Sequence, residues 1–197
     1  MKVQIFSDIH GDLKALHRAI EVEADIYIAA GDLVTWPAPL DDCGEILAPL
    51  GDKLWVMPGN NETDEQIASF CAEFGFRNFH DVSVEVEGAH FAGLGYSNAT
   101  PFDTPGEYTE EEISERLAKF ADLRPSVLVC HAPPLHTELD EAAGGNHFGS
   151  SAVREYLDAH PPRYFFCGHI HEAAGRVVQM GSMLASNVGK KGYLLEL

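Results

Sequence analysis

The 197-residue chain is 45% hydrophobic and 22% charged, ordinary proportions for a folded protein that exclude the disordered and fibrous classes. Its charge balance is not ordinary: 13 Lys and Arg stand against 31 Asp and Glu, a formal net of −18. Such a surface repels phosphate backbones and anionic lipid, so extended nucleic acid and membrane are not expected partners, although a bound cation would invert the field locally.

Val3-Gln4-Ile5-Phe6 reads as a strand, and Asp12 as the cap of a helix carrying Leu13, Leu16 and Ile20 on one face. Ile26 to Ala29 and Leu54 to Met57 read as buried strands. Thr63 and Gln66 have the form of a capping box ahead of Ile67, Phe70, Cys71 and Phe74 at helical spacing. Val82, Val84 and Val86 alternate with Ser83, Glu85 and Glu87, a half-exposed strand that turns at Gly88 into a partner over His90 to Leu94. Thr109 and Glu112 form a second capping box before Ile113, Leu117 and Phe120, and the acidic run Glu107 to Glu115 reads as a solvated helix start favoured by the macrodipole. Val127 to Cys130 and Tyr164 to Cys167 are again apolar strands. Between them Ser150 or Ser151 opens a short helix with Val153 and Leu157, stopped by Pro161-Pro162. The tail, Val177-Val178, Met183-Leu184 and Tyr193 to Leu197, reads as short strands. These βα units followed by meandering strands predict an α/β protein of two packed sheets with helices outside, in one domain over 1–197.

No apolar run approaches the ~18 residues of a membrane span, and the N-terminal residues do not form an export signal. Cys43, Cys71, Cys130 and Cys167 lack CxxC spacing. They read as buried small hydrophobes in a reducing compartment, and a cytoplasmic location is expected.

The chemistry is concentrated at the strand ends. The first strand runs into Asp8-Ile9-His10, the second into Gly31-Asp32, the third into Gly59-Asn60-Asn61-Glu62. The strand at 127–130 ends in His131, and that at 164–167 in Gly168-His169-Ile170-His171. In α/β sheets the carboxyl ends of strands line the binding crevice, so these side chains are expected to converge. Singly, an Asp or Asn at a strand end is a turn former or a cap; five strand ends with the same property are not a coincidence. Two Asp, four His and one Asn, without thiolate, suit a binuclear centre of Mn²⁺, Fe or Zn²⁺ better than one tetrahedral zinc. The glycines before Asp32, Asn60 and His169 would let the backbone approach closely.

Asp8-x-His10, Gly31-Asp32, Gly59-Asn60-x-Glu62, His131 and Gly168-His169-x-His171, in that order, resemble the signature of the calcineurin-like metallophosphoesterase superfamily. His131-Ala132-Pro133-Pro134, Leu139-Asp140, Gly149-Ser150 and the segment Cys167 to Glu172 further resemble its Icc-related branch. The resemblance implies the metallo-dependent phosphatase fold, a four-layer αββα sandwich of two mixed sheets flanked by helices. It implies one divalent ion held by Asp8, His10, Asp32 and His171, and another by Asp32, Asn60, His131 and His169, with Asp32 bridging. Mn²⁺ is the expected metal, with Fe, Zn²⁺ or Ni²⁺ as substitutes. It also implies a hydroxide nucleophile whose pKa the cations lower. The expected activity is hydrolysis of phosphodiesters or activated phosphomonoesters of small molecules.

One position departs from the family pattern. Where its phosphatases carry a histidine after the Asn ligand, this chain has Asn61. An amide can contact phosphate but cannot deliver a proton. His136 and His147, in the loop after His131, are the alternative proton donors and substrate-loop candidates, against the plainer reading of exposed loop histidines. The role of Glu62, which in the family often orients the absent histidine, is open. Glu172 is either a partner of a ligand histidine or a surface charge. His17, His80, His90 and His160 read as structural or solvated, and Cys130 and Cys167 as packing residues. Two alternatives stand beside the enzyme: an interaction scaffold, as for the retromer subunit of this fold, and a protein phosphatase, disfavoured because no arginine adjoins the motifs. A homo-oligomer is compatible with all three.

Overall fold

The computed structural model describes residues 1–197. In chain order its elements are β1 (Lys2–Phe6), α1 (Leu13–Ile20), β2 (Ile26–Ala30), α2 (Asp41–Leu47), β3 (Leu54–Met57), α3 (Asp64–Phe74), β4 (Arg77–Asn78), β5 (Val82–Val86) and β6 (Ala89–Leu94). There follow β7 (Ser97–Asn98), β8 (Glu107–Tyr108), α4 (Glu110–Ala118), β9 (Val127–Cys130), α5 (Ser151–Ala159), β10 (Tyr164–Cys167), β11 (Val177–Met180), β12 (Met183–Asn187) and β13 (Tyr193–Glu196). One sheet has the order β13-β1-β2-β3-β4, parallel except for β13. The other has the order β11-β12-β10-β9-β6-β5, parallel in the middle with an antiparallel strand at each edge.

Each apolar strand feeds two layers, because successive side chains point to opposite faces. Ile26, Ile28 and Ala30 of β2 join Val3, Ile5, Trp55 and Met57 in the seam between the sheets, where they meet Val127, Val129 and Phe166. Phe6, Tyr27, Ala29, Leu54 and Val56 turn outward onto α1, α2 and α3. From the second sheet, Leu128, Cys130, Phe165 and Cys167 turn outward onto α4 and α5. The result is the expected four-layer αββα arrangement. No helix is long and apolar enough to cross a membrane.

Local signals place the helices. Thr63 with Gln66 and Thr109 with Glu112 both form reciprocal capping boxes, and Asp12 accepts from the Ala15 amide at 3.0 Å. Of the serine pair, Ser150 is the cap, its hydroxyl accepting from Val153 N at 3.1 Å. One expectation is corrected, and one helix went unread. Glu107 does not open a helix: it lies in β8, and α4 begins at Glu110. The helix α2 had no sequence signal because Gly44, a poor helix former, sits inside it; a Cβ there would run into the Phe74 and Phe70 rings, so packing overrides propensity.

The seam should dominate stability. Phe91 is 0% exposed and meets Trp55 edge-on at 5.5 Å between ring centroids. Phe91→Ala is expected to cost about 3–5 kcal/mol in urea unfolding. Phe102, 79% exposed, should tolerate alanine within about 0.5 kcal/mol.

Candidate metal centre

The chain reverses abruptly after each buried strand, and the reversals carry the side chains that matter. Asp8 (φ 56), His10 (φ 49), Asp32 (φ 54) and His169 (φ 69) all lie in the left-handed region, which for residues with a Cβ costs of order 1–3 kcal/mol each and persists only where surroundings enforce it. Here the loops enforce one another: Asp8 N donates to the Gly31 carbonyl at 3.0 Å and His10 N to that of Asp32 at 2.9 Å. Close approach is built in as well. A Cβ at Gly59 would collide with the Asp32 carboxylate, and one at Gly168 with those of Asp8 and the Ser7 side chain.

All seven expected donors come together, drawn from both sheets. His10 Nε2 lies 2.9 Å from His171 Nε2 and 3.4 Å from Asp32 Oδ2. Asp32 Oδ2 is 3.6 Å from His131 Nε2, and His171 Nε2 is 3.6 Å from Asp8 Oδ1. Asn60 Oδ1 faces His131 Nε2 at 3.3 Å and His169 Nδ1 at 2.8 Å. Ligands bonded at ~2.1 Å to one ion stand roughly 3.0 Å apart at octahedral angles and 3.4 Å at tetrahedral ones. The observed separations bracket those values, so the donor set fits divalent ions. Two overlapping groups satisfy mutual proximity, Asp8 with His10 and His171, and Asp8 with Asp32 and His131.

A second set of contacts aims these donors, and sequence reading found little of it. The His131 Nδ1 faces the Ala30 carbonyl at 2.8 Å and that of His10 the Thr35 hydroxyl at 3.0 Å, which turns each Nε2 inward. Asn60 donates its amide nitrogen to Thr104 Oγ1 at 3.1 Å; that hydroxyl donates to Glu107 at 2.5 Å, so the amide oxygen is left for the cluster. Glu62 staples two loops by accepting from Asp32 N (3.0 Å), Gly59 N (2.8 Å) and Val34 N (3.1 Å). Asn61 donates from its side chain to Asp32 Oδ2 at 2.8 Å and from its backbone to Oδ1 at 2.9 Å, while accepting from Trp36 N at 3.1 Å. The signals for Glu62 and Asn61 lay beside the Asn60 motif; those for Thr104 and Glu107 lay 44 or more residues away with no motif of their own.

Burial raises the carboxyl of Asp32, but the charge and hydrogen bond of His131 outweigh it and hold the group well below the carboxylate range. For His131 burial pulls the other way, yet Asp32 and Asp8 push it up to about 9. Burial and the His131 charge press His169 down to about 4. Burial and the nearby Asp32 raise Glu62 to about 7 against its three N–H donors.

The cluster floors a cleft of about 390 Å³ walled by Trp36, Phe102 and Asn61. An adjoining cleft of about 560 Å³ shares Phe102, His169 and His171 with it and is bordered by His147. His147 is held by buried Asp140, at 2.8 Å from Nδ1, and Asp140 also accepts from the Thr137 and Gly149 amides. His136 stacks edge-on against His147 but lines a separate cleft of about 910 Å³ that shares no residue with the cluster's own. Glu172 is exposed at the lip of the adjoining cleft. Cys130 and Cys167 are packed in the outer core as expected, and His80 is a half-buried structural group accepting from Gly95 N at 2.9 Å.

The family model for calcineurin-like phosphoesterases matches residues 1–173. An uncharacterized protein of Methanocaldococcus jannaschii, MJ1162, is 34% identical over 203 residues, spanning 99% of this chain and 91% of that protein. Among solved structures, TT1561 of Thermus thermophilus superposes with a TM-score of 0.77 at 20% identity, over 98% of this chain and 93% of that one. The phosphopantetheinyl hydrolase of Mycobacterium tuberculosis superposes with a TM-score of 0.70 at 14% identity, over 95% and 88%. At such identities the two structures speak for the fold alone.

A divalent ion needs the His131 lone pair, which in the metal-free chain carries a proton at neutral pH. Binding of Mn²⁺ at pH 7 should therefore release a proton, and apparent affinity should climb by about tenfold per pH unit until pH nears 9. Calorimetry in buffers of differing ionisation enthalpy reads this directly; binding without proton release between pH 6.5 and 8.5 would contradict it.

Proposed function

The chain belongs to the calcineurin-like phosphoesterase family, and on that premise we propose that it hydrolyses phosphodiesters or activated phosphomonoesters of small molecules at a pair of divalent ions. The observation that carries this is the position of Asp32 Oδ2 between His10 Nε2 and His131 Nε2, 3.4 and 3.6 Å away. A carboxylate so placed suits a bridge, with Asp8, His10 and His171 completing one ion's shell and Asn60, His131 and His169 the other's. Ions bound there, Mn²⁺ first among them, would acidify a water and place positive charge against the phosphoryl oxygens.

The rest is done by side chains. Asn61 holds Asp32 with one amide hydrogen, and the other is free to meet a phosphoryl oxygen at the mouth of the cleft. It has no proton to give a leaving alkoxide. Esters whose leaving group needs no proton are therefore the fitting substrates. No Lys or Arg lines either cleft, which weighs against a phosphoprotein substrate. Strained backbone at four donors would be an odd burden for a mere scaffold. The four free, buried cysteines fit a reducing, cytoplasmic setting.

With Mn²⁺ the protein should turn over bis(p-nitrophenyl) phosphate, lose that activity on chelation or in Asp32→Asn, and favour aryl over alkyl esters by roughly 10²–10⁴. Asn61→His should narrow that ratio by raising the alkyl rate. Absence of turnover with every candidate metal would leave the interaction scaffold.

A further inference from the structure

Two Trp, six Tyr and eleven Phe occur in the chain, and of these side chains only Trp36, Phe102 and Phe148 are exposed, at 47%, 79% and 54%. All three border the two clefts that meet at His169 and His171: Trp36 and Phe102 line the cleft over the metal cluster, Phe102 and Phe148 the adjoining one. Large apolar rings left in water are uncommon enough to need a reason. Confinement of every exposed ring to one mouth is a pattern that chance exposure does not produce.

These rings are not on slack loops. Phe102 lies between Thr100 and Thr104, and both threonines donate hydroxyl and amide hydrogens to Glu107, at 2.5–3.1 Å. Thr104 in turn carries the Asn60 amide, so the segment bearing Phe102 is tied to the metal cluster itself. The Phe148 carbonyl accepts from Asn98 Nδ2 at 3.2 Å, which joins the two walls of the adjoining cleft. Its neighbours His147 and Gly149 are both bound to buried Asp140. With the backbone beneath the rings held in advance, binding a ligand has only side-chain freedom left to restrict.

We infer that Phe102 and Phe148 form a stacking subsite for a nucleobase, making the ester a diester of a nucleoside monophosphate whose other, acidic alcohol departs without a proton; this rests on the proposed function for the seat of the phosphoryl group. Three features favour a base over other organic groups. The rings offer flat faces near the surface, whereas an alkyl chain would call for a deep pocket that buries them. With no Lys or Arg at either cleft, and with Asp103 and Glu172 among the lining residues, a second or third phosphate has no counter-charge. Exposed Glu172 in the adjoining cleft supplies an acceptor suited to the amino group of a base edge.

The test compares adenosine 5′-monophosphate with ribose 5-phosphate, which differ only in the base, by calorimetry on the Mn²⁺-loaded protein. Base stacking on aromatic side chains predicts roughly tenfold tighter binding of the nucleotide, and a ratio that falls toward one in Phe102→Ala and Phe148→Ala. Leu123→Ala, at an exposed apolar residue outside both clefts, should keep the ratio. Equal affinities in the unsubstituted protein overturn the subsite whether or not any ester is hydrolysed. A nucleotide preference without hydrolysis of any diester retains the subsite and sinks the catalytic proposal. Ring variants that alter the sedimentation coefficient but not the ratio overturn the subsite and assign the rings to a contact between copies of the chain.

Discussion

Everything at the centre depends on the Asp32 carboxylate being held, buried and charged, between imidazoles from opposite sheets. Burying a carboxylate costs several kcal/mol unless it is paired and hydrogen-bonded. Asp32 is 2% exposed, with Asp8 at 3% and Glu62 at 1% in the same small volume. Without a metal, His131 is the main counter-charge, which is why its imidazole is driven so far up while His169 next to it is driven down. A single imidazolium is poor compensation for the buried Asp8 and Asp32 carboxylates, and divalent cations are better. The same crowding that makes the metal-free site costly makes it selective for a multiply charged ion.

The fold serves that arrangement by putting five parallel strand ends at one edge. Strands β1, β2 and β3 are neighbours in one sheet, β9 and β10 in the other, and the seam between the sheets fixes their relative height. His169 N donates to both oxygens of Asp8, at 3.0 and 3.1 Å, and His131 reaches the Ala30 carbonyl, so hydrogen bonds cross between the sheets at the site. A small displacement of one sheet against the other would separate the donors. Packing of Trp55, Phe79, Phe91 and Phe166 in the seam is thus part of the site's geometry although none of them touches it.

Sequence reading recovered what is periodic or adjacent. Continuous apolar runs such as Ile26 to Ala29 and Val127 to Cys130 gave the buried strands, their order with the helices gave the two packed sheets, the Thr63 and Thr109 boxes gave helix starts, and strand-end residues gave the donor set. It failed where a role is defined by a distant partner. Glu107 looked like one more acid in a solvated run; its threonine partners, and through Thr104 the amide of Asn60, are revealed only when the 97–108 segment folds over the third strand's end. Asn61 looked like a weakened catalytic position. Its contacts with Asp32 and Trp36 N give it an orienting task that a residue-by-residue comparison does not disclose. The α2 helix was hidden by Gly44, whose missing side chain is dictated by the rings packed over it.

The departures from an ordinary surface belong together. A net charge of −18 discourages anions from approaching at all, and clefts without a single Lys or Arg do nothing to reverse that until cations occupy the cluster. Specificity for the organic half of an ester then has to come from something other than charge. Exposed rings on anchored backbone are what remains, since stacking is indifferent to the sign of the surrounding field and is not weakened by salt as ion pairing is. An acidic shell, a cationic core made by bound metal and an aromatic mouth thereby divide the work: the first rejects polyanions, the second takes one phosphoryl group, the third selects what is attached to it.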